Sequence, residues 1–185
     1  MRGRSITLQS HRRRFECIEP GVLGMPDIMS VEKRSKLMSR IKGKNTTPER
    51  YIACLLTAGG LQFEQHCRDL AGTPDFVFRR ASTVVFVDGD FWHGWRFPIW
   101  KHRLSDTWRQ KIERNRQRDT SNRRKLRRRG WKVIRLWEHQ VEADAVDCIA
   151  RIVDRAGVLR ANWKAVHDAN ETLPPLKRRN RLPKP

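Results

Sequence analysis

The sequence has few cysteines and no long apolar run, and each shortage excludes a class of protein. Its four cysteines form no Cys-x-x-Cys pair and show no zinc-like spacing, so we expect reduced thiols and no disulfide. The apolar runs are far shorter than a membrane span, and the N-terminal segment lacks the apolar core of a signal peptide. A cytoplasmic protein that does not contact membranes is therefore expected.

Acidic residues are also scarce. Lysine and arginine together number 40, aspartate and glutamate number 20, and the net charge is +20. A compact protein with this excess repels itself unless it binds a polyanion, so the charge predicts a nucleic-acid partner. A basic tail on an unrelated domain is the alternative, but the charge is densest inside a predicted helix.

The length of 185 residues fits one domain. Residues 1–29 are basic and interrupted by proline and glycine, which predicts a disordered arm. A folded domain is expected at 30–158 and a frayed, basic, proline-rich tail at 159–185. Apolar periodicity predicts helices at 31–41, 47–58, 105–129 and 144–156, and strands at 61–66, 75–79, 83–88 and 131–137. This order predicts a mixed α/β fold with helices packed around one sheet.

Carboxylates stand at the ends of two neighbouring predicted strands. Asp75 opens one strand after a rigid proline, and Asp88 ends the next. Mg²⁺ takes oxygen ligands, so Asp75 with Asp88, or with the backbone carbonyl of Val87, could hold it. His93 follows closely enough to act there as general base or acid. Although a Pro-Asp pair alone is more typical of a turn, the joint pattern predicts metal-dependent cleavage of nucleic acid.

The long predicted helix has one face that combines apolar and polar residues: Trp108, Ile112, Asn115, Asp119, Asn122 and Leu126. Buried polar groups need partners, and Asp119 would find one by orienting His93. The other faces carry eleven cations, among them Lys111, Arg114 and Arg118. Such cations predict contacts with phosphate groups, which position a protein on nucleic acid without reading its sequence.

Two further features have more than one interpretation. Glu49 shares a face with Ile52 at the start of the predicted helix 47–58, where it serves either as a first-turn acid or as a site residue. Phe91 and Trp92 follow a strand on a loop beside glycines, with Trp108 and other tryptophans nearby. Aromatics usually pack in cores, but flat rings on such a loop can also wedge between bases.

Together these segments resemble the very short patch repair (Vsr) endonucleases, over roughly 30–157. The matching segments are Lys33–Met38, Thr46–Glu49, Gly72–Val77, Gly89–His93, Lys111–Asn115, Arg118–Asp119, Gly130–Val133 and Trp137–Glu138. The resemblance implies a restriction-endonuclease-like fold, in which a central mixed sheet is flanked by helices. It also implies a Mg²⁺-dependent enzyme that nicks DNA 5′ of the T in a T:G mismatch left by deamination of 5-methylcytosine.

The resemblance also implies roles for individual residues. Asp75 matches the metal-binding aspartate, and Val87 matches the residue that lends a backbone carbonyl to the metal. His93 matches the histidine proposed to activate water, with Glu49 and Asp119 as supporting acids. The implied DNA contacts are the intercalating residues Phe91, Trp92 and Trp108, and Met38 on an N-terminal helix. The implied protein is a monomer that acts on duplex DNA in the bacterial nucleoid, with mismatch-repair factors as further partners.

Two features of the sequence depart from the family pattern. Asp88 replaces a second active-site histidine, although a carboxylate there could bind metal directly. The segments that hold a structural zinc in the family carry Asp90, Trp95 and His139 here, with no cysteine. Because a closed zinc site usually needs thiolates, we expect no structural zinc. We expect packing of Trp95, Phe97 and Trp100 to brace the loop instead.

Other functions remain compatible with these residues. A restriction-type or junction-cutting nuclease could use the same site with another specificity. A DNA-binding module that has lost catalysis would keep the basic helix without needing the acids and the histidine. An RNA-binding protein fits least well, because it has no need for acids buried beside a histidine.

Overall fold

The computed structural model describes residues 43–157 and 161–176. The predicted arm at 1–29, the predicted helix at 31–41 with Met38, and residues 177–185 lie outside the described residues. None of the described helices combines the length and the hydropathy that crossing a bilayer requires.

A four-stranded sheet lies at the centre of the described chain. The strands are β1 (Glu64–Gln65), β2 (Phe76–Phe78), β3 (Thr83–Asp88) and β4 (Lys132–Trp137), in that spatial order. β1 to β3 run antiparallel to their neighbours, and β4 runs parallel to β3. The connection from β2 to β3 is the single 3-10 turn Arg79–Ala81, so these two strands form a hairpin.

Helices cover both faces of this sheet. They are α1 (Thr47–Ala58), α2 (Phe97–Trp100), α3 (Asp106–Arg128), α4 (Glu138–Ala143), α5 (Ala145–Ala156) and α6 (Trp163–Thr172). One face of the sheet packs on apolar residues of α1 and α5, among them Ile52 and Ile149. The other face presents Val77 and Val84 to Leu126 of α3. The predicted mixed α/β architecture is confirmed.

Period-two alternation along the strands explains why the two faces differ in chemistry. Val85 and Val87 of β3 belong to the cluster with α1 and α5, whereas Val84 packs against Leu126. Alternate residues of a strand point to the same face, so Asp88 shares the face of Val84. By the same rule Asp75 shares the face of Val77 on the neighbouring strand, and both carboxylates therefore lie on the side covered by α3.

The structure departs from the predicted elements in three places. The strand predicted at 61–66 is reduced to Glu64–Gln65. α2 and α4 form where no helix was predicted. The tail was predicted to be frayed, but Trp163–Thr172 is a helix whose Val166 is fully buried. This helix is held by a hydrogen bond from the Asn162 amide to the Gly59 carbonyl at 3.0 Å and by packing of Val166 against α1.

Candidate active site

Three titratable side chains meet where the edge of the sheet approaches the start of α1. Each of Glu49, His66 and Asp75 offers one ligand atom, and these atoms all lie within 4.8 Å of one another. Nδ1 of His66 is 3.7 Å from Oδ1 of Asp75, and Nε2 is 3.8 Å from Oε2 of Glu49. We call these three residues the edge cluster. Two carboxylates and an imidazole at such spacing are a set of donors for a divalent cation.

Glu49 has the contacts of a first-turn acid and also lies in the edge cluster, so its position is compatible with both interpretations of the sequence. Its side chain is 5% exposed, on the same face of α1 as Ile52, as predicted. Its two oxygens accept hydrogen bonds from the Asn45 amide at 2.8 Å and from the Thr46 hydroxyl at 2.7 Å, which stabilise the start of the helix. The same carboxylate belongs to the edge cluster, so its role in the helix does not remove it from the site.

Asp75 is fixed by the backbone of β3 but is poorly solvated. Its Oδ2 accepts a hydrogen bond from the Val87 amide at 2.7 Å. Burial, together with the charge of Glu49, nevertheless raises the pKa of Asp75 to about 8. A carboxyl in this environment favours a proton or a metal ion as a partner.

A second group lies at the end of β3, where Asp88, His93 and Asp119 meet with Arg123 and Arg135. We call these five residues the strand-end cluster. Nδ1 of His93 is 2.6 Å from Oδ2 of Asp119 on α3, so the predicted contact between them is confirmed. Because Asp119 occupies Nδ1, the other ring nitrogen, Nε2, remains to exchange a proton.

Opposing effects set the pKa of the two groups in this pair. Burial acts to lower the pKa of His93, but the hydrogen bond with Asp119 and the charge of Asp88 outweigh it, so the pKa of His93 is raised. Burial acts to raise the pKa of Asp119, but the contact with His93 and the charge of Arg118 leave the pKa lowered. The carboxylate therefore stays ionised beside the imidazole.

Asp88, which the sequence suggested as a metal ligand, has several partners within the protein. It is 4% exposed and forms a short hydrogen bond with Nε of Arg135. Nδ1 of His93 lies 3.4 Å away, and a nitrogen of Arg123 lies 3.9 Å away. A buried carboxylate paired with arginine is already neutralised, so the structure favours Asp88 as an anchor for the loop that carries His93.

The edge cluster and the strand-end cluster lie close enough to interact. The charges of Asp88 and His93 both act on the ionisation of Asp75. All three belong to the segments that the sequence singled out, and the sheet brings them together on the face covered by α3. The convergence of Asp75, His93 and the helix that carries Asp119 on one divalent ion stays a prediction.

An aromatic group borders this site. Phe91, Trp92 and Trp108 contact one another, with ring centroids 5.1 to 6.0 Å apart. All three are half-buried, so they are available at the surface in a way that the fully buried Phe97 is not. Nζ of Lys111 lies 5.5 Å from the ring of Trp92 and 5.2 Å from that of Trp108, which places a cation above the rings.

The cations of α3 divide into two groups. Lys111, Arg114 and Arg118 are exposed, as residues that contact phosphate would be. Arg116 and Arg123 are also among the eleven cations that the sequence predicted on the outer faces of this helix, but the structure turns both inward. Arg116 lies over the ring of Phe97, with the guanidinium carbon 5.1 Å from the centroid, and Arg123 joins the strand-end cluster.

A family model described as DNA mismatch endonuclease Vsr matches residues 26–98. The type II nicking enzyme V.XorIIP of Xanthomonas oryzae pv. oryzae is 44% identical over 117 residues, which are 62% of this chain and 85% of that protein. The DNA mismatch endonuclease Vsr of Escherichia coli is 36% identical over 116 residues, 62% of this chain and 74% of that protein.

The chain belongs to the Vsr family of DNA mismatch endonucleases. It is accordingly a DNA endonuclease, with DNA as its partner and a restriction-endonuclease-like fold. The type II nicking enzyme V.NmeDIP of Neisseria meningitidis serogroup C is also similar, with 35% identity over 132 residues, 68% of this chain and 87% of that protein.

In this Vsr-family enzyme the segments expected to lack zinc form contacts of their own. Nδ1 of His139 is 2.7 Å from Oδ1 of Asp90, and the ring of Trp95 lies 4.6 Å from that of His139. The predicted packing around the loop is confirmed, because Phe97 and Trp100 are buried in edge-to-face contact and Trp100 donates to the Trp95 carbonyl at 2.6 Å. The predicted absence of a structural zinc stays a prediction.

Sequence reasoning missed two residues of the candidate site, His66 and Arg135. His66 follows β1 directly, and its amide donates to the Asp75 carbonyl at 3.3 Å. Arg135 pairs with Phe86 in the parallel register of β3 and β4, which brings it beside Asp88. Both positions depend on strand register, which no local pattern indicates. An isolated histidine at the end of an alternating segment was the only available signal for His66.

Proposed function

We propose that this endonuclease nicks one strand of duplex DNA on the 5′ side of the mismatched T in a T:G pair left by deamination of 5-methylcytosine. The observation that supports it most is that Asp75 lies within electrostatic reach of His93, which is paired with Asp119 and follows the half-buried aromatics Phe91 and Trp92 on its loop. A hydrolytic centre and a surface for opening the base stack are then adjacent. The sequence resemblance and the family membership point to the same reaction.

Mg²⁺ is the proposed cofactor, and the donor set fits it. Asp75, the Val87 carbonyl and Glu49 offer oxygen ligands. Burial and the charge of Glu49 raise the pKa of Asp75, and a bound cation would favour its ionised form. A bound Mg²⁺ would polarise the scissile phosphate and stabilise the developing charge. Asp88, which the sequence also suggested as a ligand, is instead assigned to Arg135.

In the proposed mechanism the imidazole of His93 accepts at Nε2 a proton from the attacking water, whose oxygen bonds to phosphorus while the phosphodiester bond to the leaving oxygen breaks. Asp119 holds Nδ1 at 2.6 Å and stabilises the imidazolium that forms. Arg135 donates to Asp88 and also approaches the His93 carbonyl, with a separation of 3.5 Å. These contacts fix the loop, so the ring is oriented before DNA arrives.

Phe91, Trp92 and Trp108 are proposed to enter the DNA stack at the mismatch. Unstacking costs a few kcal/mol per step and is recovered through stacking and contact area, and the cost is lowest at a mispair. Lys111, Arg114 and Arg118 are proposed to contact the flanking phosphates. Because these contacts do not read bases, specificity would come from the ease with which the T:G step opens. The enzyme is proposed to act as a monomer.

Oligonucleotide cleavage tests this function. Duplexes that differ only in one pair, T:G, T:A, C:G or another mismatch, are labelled on each strand and incubated with Mg²⁺ or with a chelator. We expect cleavage of the T-bearing strand alone, 5′ of the T, and only with the metal. Equal cleavage of matched duplexes, or cleavage of both strands, would contradict the proposal.

A nicking enzyme with another specificity is the second candidate. It is favoured by the similarity to V.XorIIP, which is named as a type II nicking enzyme. The same set of duplexes separates the two, because an enzyme of this kind would cut a different pair or a matched site while still nicking one strand.

A further inference from the structure

His66 is held in an orientation that suits a metal ligand. Its backbone has a φ of 51°, and its amide pairs with the Asp75 carbonyl, so the ring is placed against Asp75 by the register of two strands. The side chain is 16% exposed. Nothing in the proposed reaction requires an imidazole at this position, because His93 already supplies the base.

Asn45 sets the tautomer of the His66 ring. Nε2 of His66 is 3.0 Å from Oδ1 of Asn45, and an amide oxygen can only accept, so Nε2 carries the proton. Nδ1 is then left with its lone pair, facing Oδ1 of Asp75. Metal-binding histidines commonly donate their second ring nitrogen to a carbonyl in this way, which fixes both ring orientation and tautomer.

The distances favour a shared ion over a direct contact. At 3.7 Å, Nδ1 of His66 and Oδ1 of Asp75 are too far apart for a hydrogen bond. Two ligands that each lie roughly 2.1 Å from one ion are separated by about 3–4 Å. Within the described part of the chain, neither Glu49 nor Asp75 has a lysine or arginine in an ion pair. The two carboxylates are therefore left for another cation.

We propose that Glu49, His66 and Asp75 bind one divalent cation together, and that the His66 nitrogen makes this site prefer Mn²⁺ to Mg²⁺. Mn²⁺ accepts an imidazole nitrogen beside carboxylates more readily than Mg²⁺ does, because Mg²⁺ takes oxygen ligands and keeps its waters. This inference deepens the proposed function, because Asp75 is the carboxylate assigned there to Mg²⁺. The enzyme would then work with either ion but would bind Mn²⁺ at lower concentrations.

Binding of the metal alone to the full-length, DNA-free protein tests this inference. Free Mn²⁺ has a six-line paramagnetic resonance spectrum that weakens on binding, and Mg²⁺ affinity follows from competition. We expect Mn²⁺ to bind at least about tenfold more tightly than Mg²⁺. The variant His66→Asn is expected to lose about tenfold in Mn²⁺ affinity while Mg²⁺ affinity changes by less than about threefold.

Asparagine is chosen for this variant because it tolerates a positive φ better than most residues. The matched control is His167→Asn, an exposed histidine on α6, which is expected to bind both ions as the wild type does. Thermal melts of both variants exclude unfolding as the cause. If His66→Asn does not fold, spin-echo measurement of Mn²⁺ bound to the wild type decides the matter, since a coupled nitrogen nucleus is expected.

Two results would overturn the inference: unchanged Mn²⁺ preference in His66→Asn, or no nitrogen coupling in the wild-type complex. Neither depends on cleavage, so failure of this inference is distinguishable from failure of the proposed function. A wild type that nicks T:G duplexes while His66→Asn keeps its Mn²⁺ preference rejects the ligand role alone. If His66→Asn loses the Mn²⁺ preference but the wild type does not nick T:G duplexes, the proposed reaction is rejected and the ligand role of His66 is kept.

Discussion

The edge cluster and the strand-end cluster each contain two carboxylates and one histidine, yet their charge environments are opposite. In the strand-end cluster, Arg135 and Arg123 flank Asp88, and Arg118 lies beside Asp119. In the edge cluster, the only ion-pair partner found for Glu49 and Asp75 within the described residues is His66. The pKa of Asp75 is raised to about 8, whereas that of Asp119 is lowered.

This difference indicates how the same residue types can serve two different roles in one site. Where arginines neutralise the acids, the carboxylates stay ionised and orient an imidazole. Where no such arginine is present, as in the edge cluster, the carboxylates have no fixed positive charge beside them, and a divalent ion can supply it. The position of fixed cations, more than the identity of the acids, separates a metal-binding role from an orienting role.

The largest effect is expected from Asp75→Asn in the edge cluster. An amide cannot replace the carboxylate as an anionic metal ligand, so we expect nicking to fall by about 10³-fold or more. Single-turnover cleavage of the T:G duplex measures this loss.

The same change removes a buried acid, so the metal-free variant should be more stable at pH 8 by roughly 1–3 kcal/mol. An inactive variant that is also destabilised would contradict this explanation.

Removal of an arginine from the strand-end cluster should have the opposite effect on stability. Arg135→Gln leaves the buried carboxylate of Asp88 without its main partner, and we expect a loss of about 2–3 kcal/mol in the free energy of unfolding. Arg124→Gln is the control, because Arg124 is exposed on α3 and should change stability by less than about 0.5 kcal/mol. Urea unfolding of the two variants makes the comparison. Equal stabilities would show that Asp88 does not depend on Arg135.

A smaller change is expected from Asp119→Asn. The Asp119 carboxylate helps to raise the pKa of His93, and the proposed base is the neutral imidazole, so activity should rise as pH passes through that raised pKa. Loss of the carboxylate lowers the pKa of His93, so this acidic limb should move to lower pH, while the maximal rate falls by about 10–100-fold. Asp106→Asn, which alters an exposed acid on the same helix, should leave the profile unchanged. A pH–rate profile that does not move would exclude His93 as the titrating base.

The last effect concerns the pH dependence of wild-type stability without metal. In the folded protein Asp75 keeps its proton up to about pH 8, whereas in the unfolded chain it loses that proton near its ordinary pKa of 3.8. Between these values the folded state binds more protons, so rising pH should lower the free energy of unfolding. Denaturant unfolding at several pH values checks this slope.

Added Mn²⁺ should reduce the slope because the ion replaces the proton on Asp75. The Asp75→Asn variant should lack this part of the slope and should not respond to the ion. A wild-type slope that is the same with and without Mn²⁺ would argue against a metal ion in the edge cluster.

The elements that the sequence predicted well are those with strong local patterns. The helix at 47–58 and the strand at 83–88 form with the predicted bounds. Their signals are local: apolar spacing within each element, Pro48 at the start of the helix, and Gly59 and Gly60 after its end. The prediction of a frayed tail was wrong for α6. The charged and proline-rich composition of the tail gave no sign that Val166 would pack on α1. Composition averages over a segment, whereas one buried side chain can anchor a helix.

The sequence by itself determined the acids, the histidine and the basic helix of this endonuclease, because their spacing along strands and α3 settles which face each occupies. The tertiary structure alone decided which of these residues meet a cation. His66 reaches Asp75 through the antiparallel pairing of β1 and β2, and Arg135 reaches Asp88 through the parallel pairing of β3 and β4. Strand register depends on contacts between distant segments, and a shift of one residue would have exchanged the faces on which these groups lie.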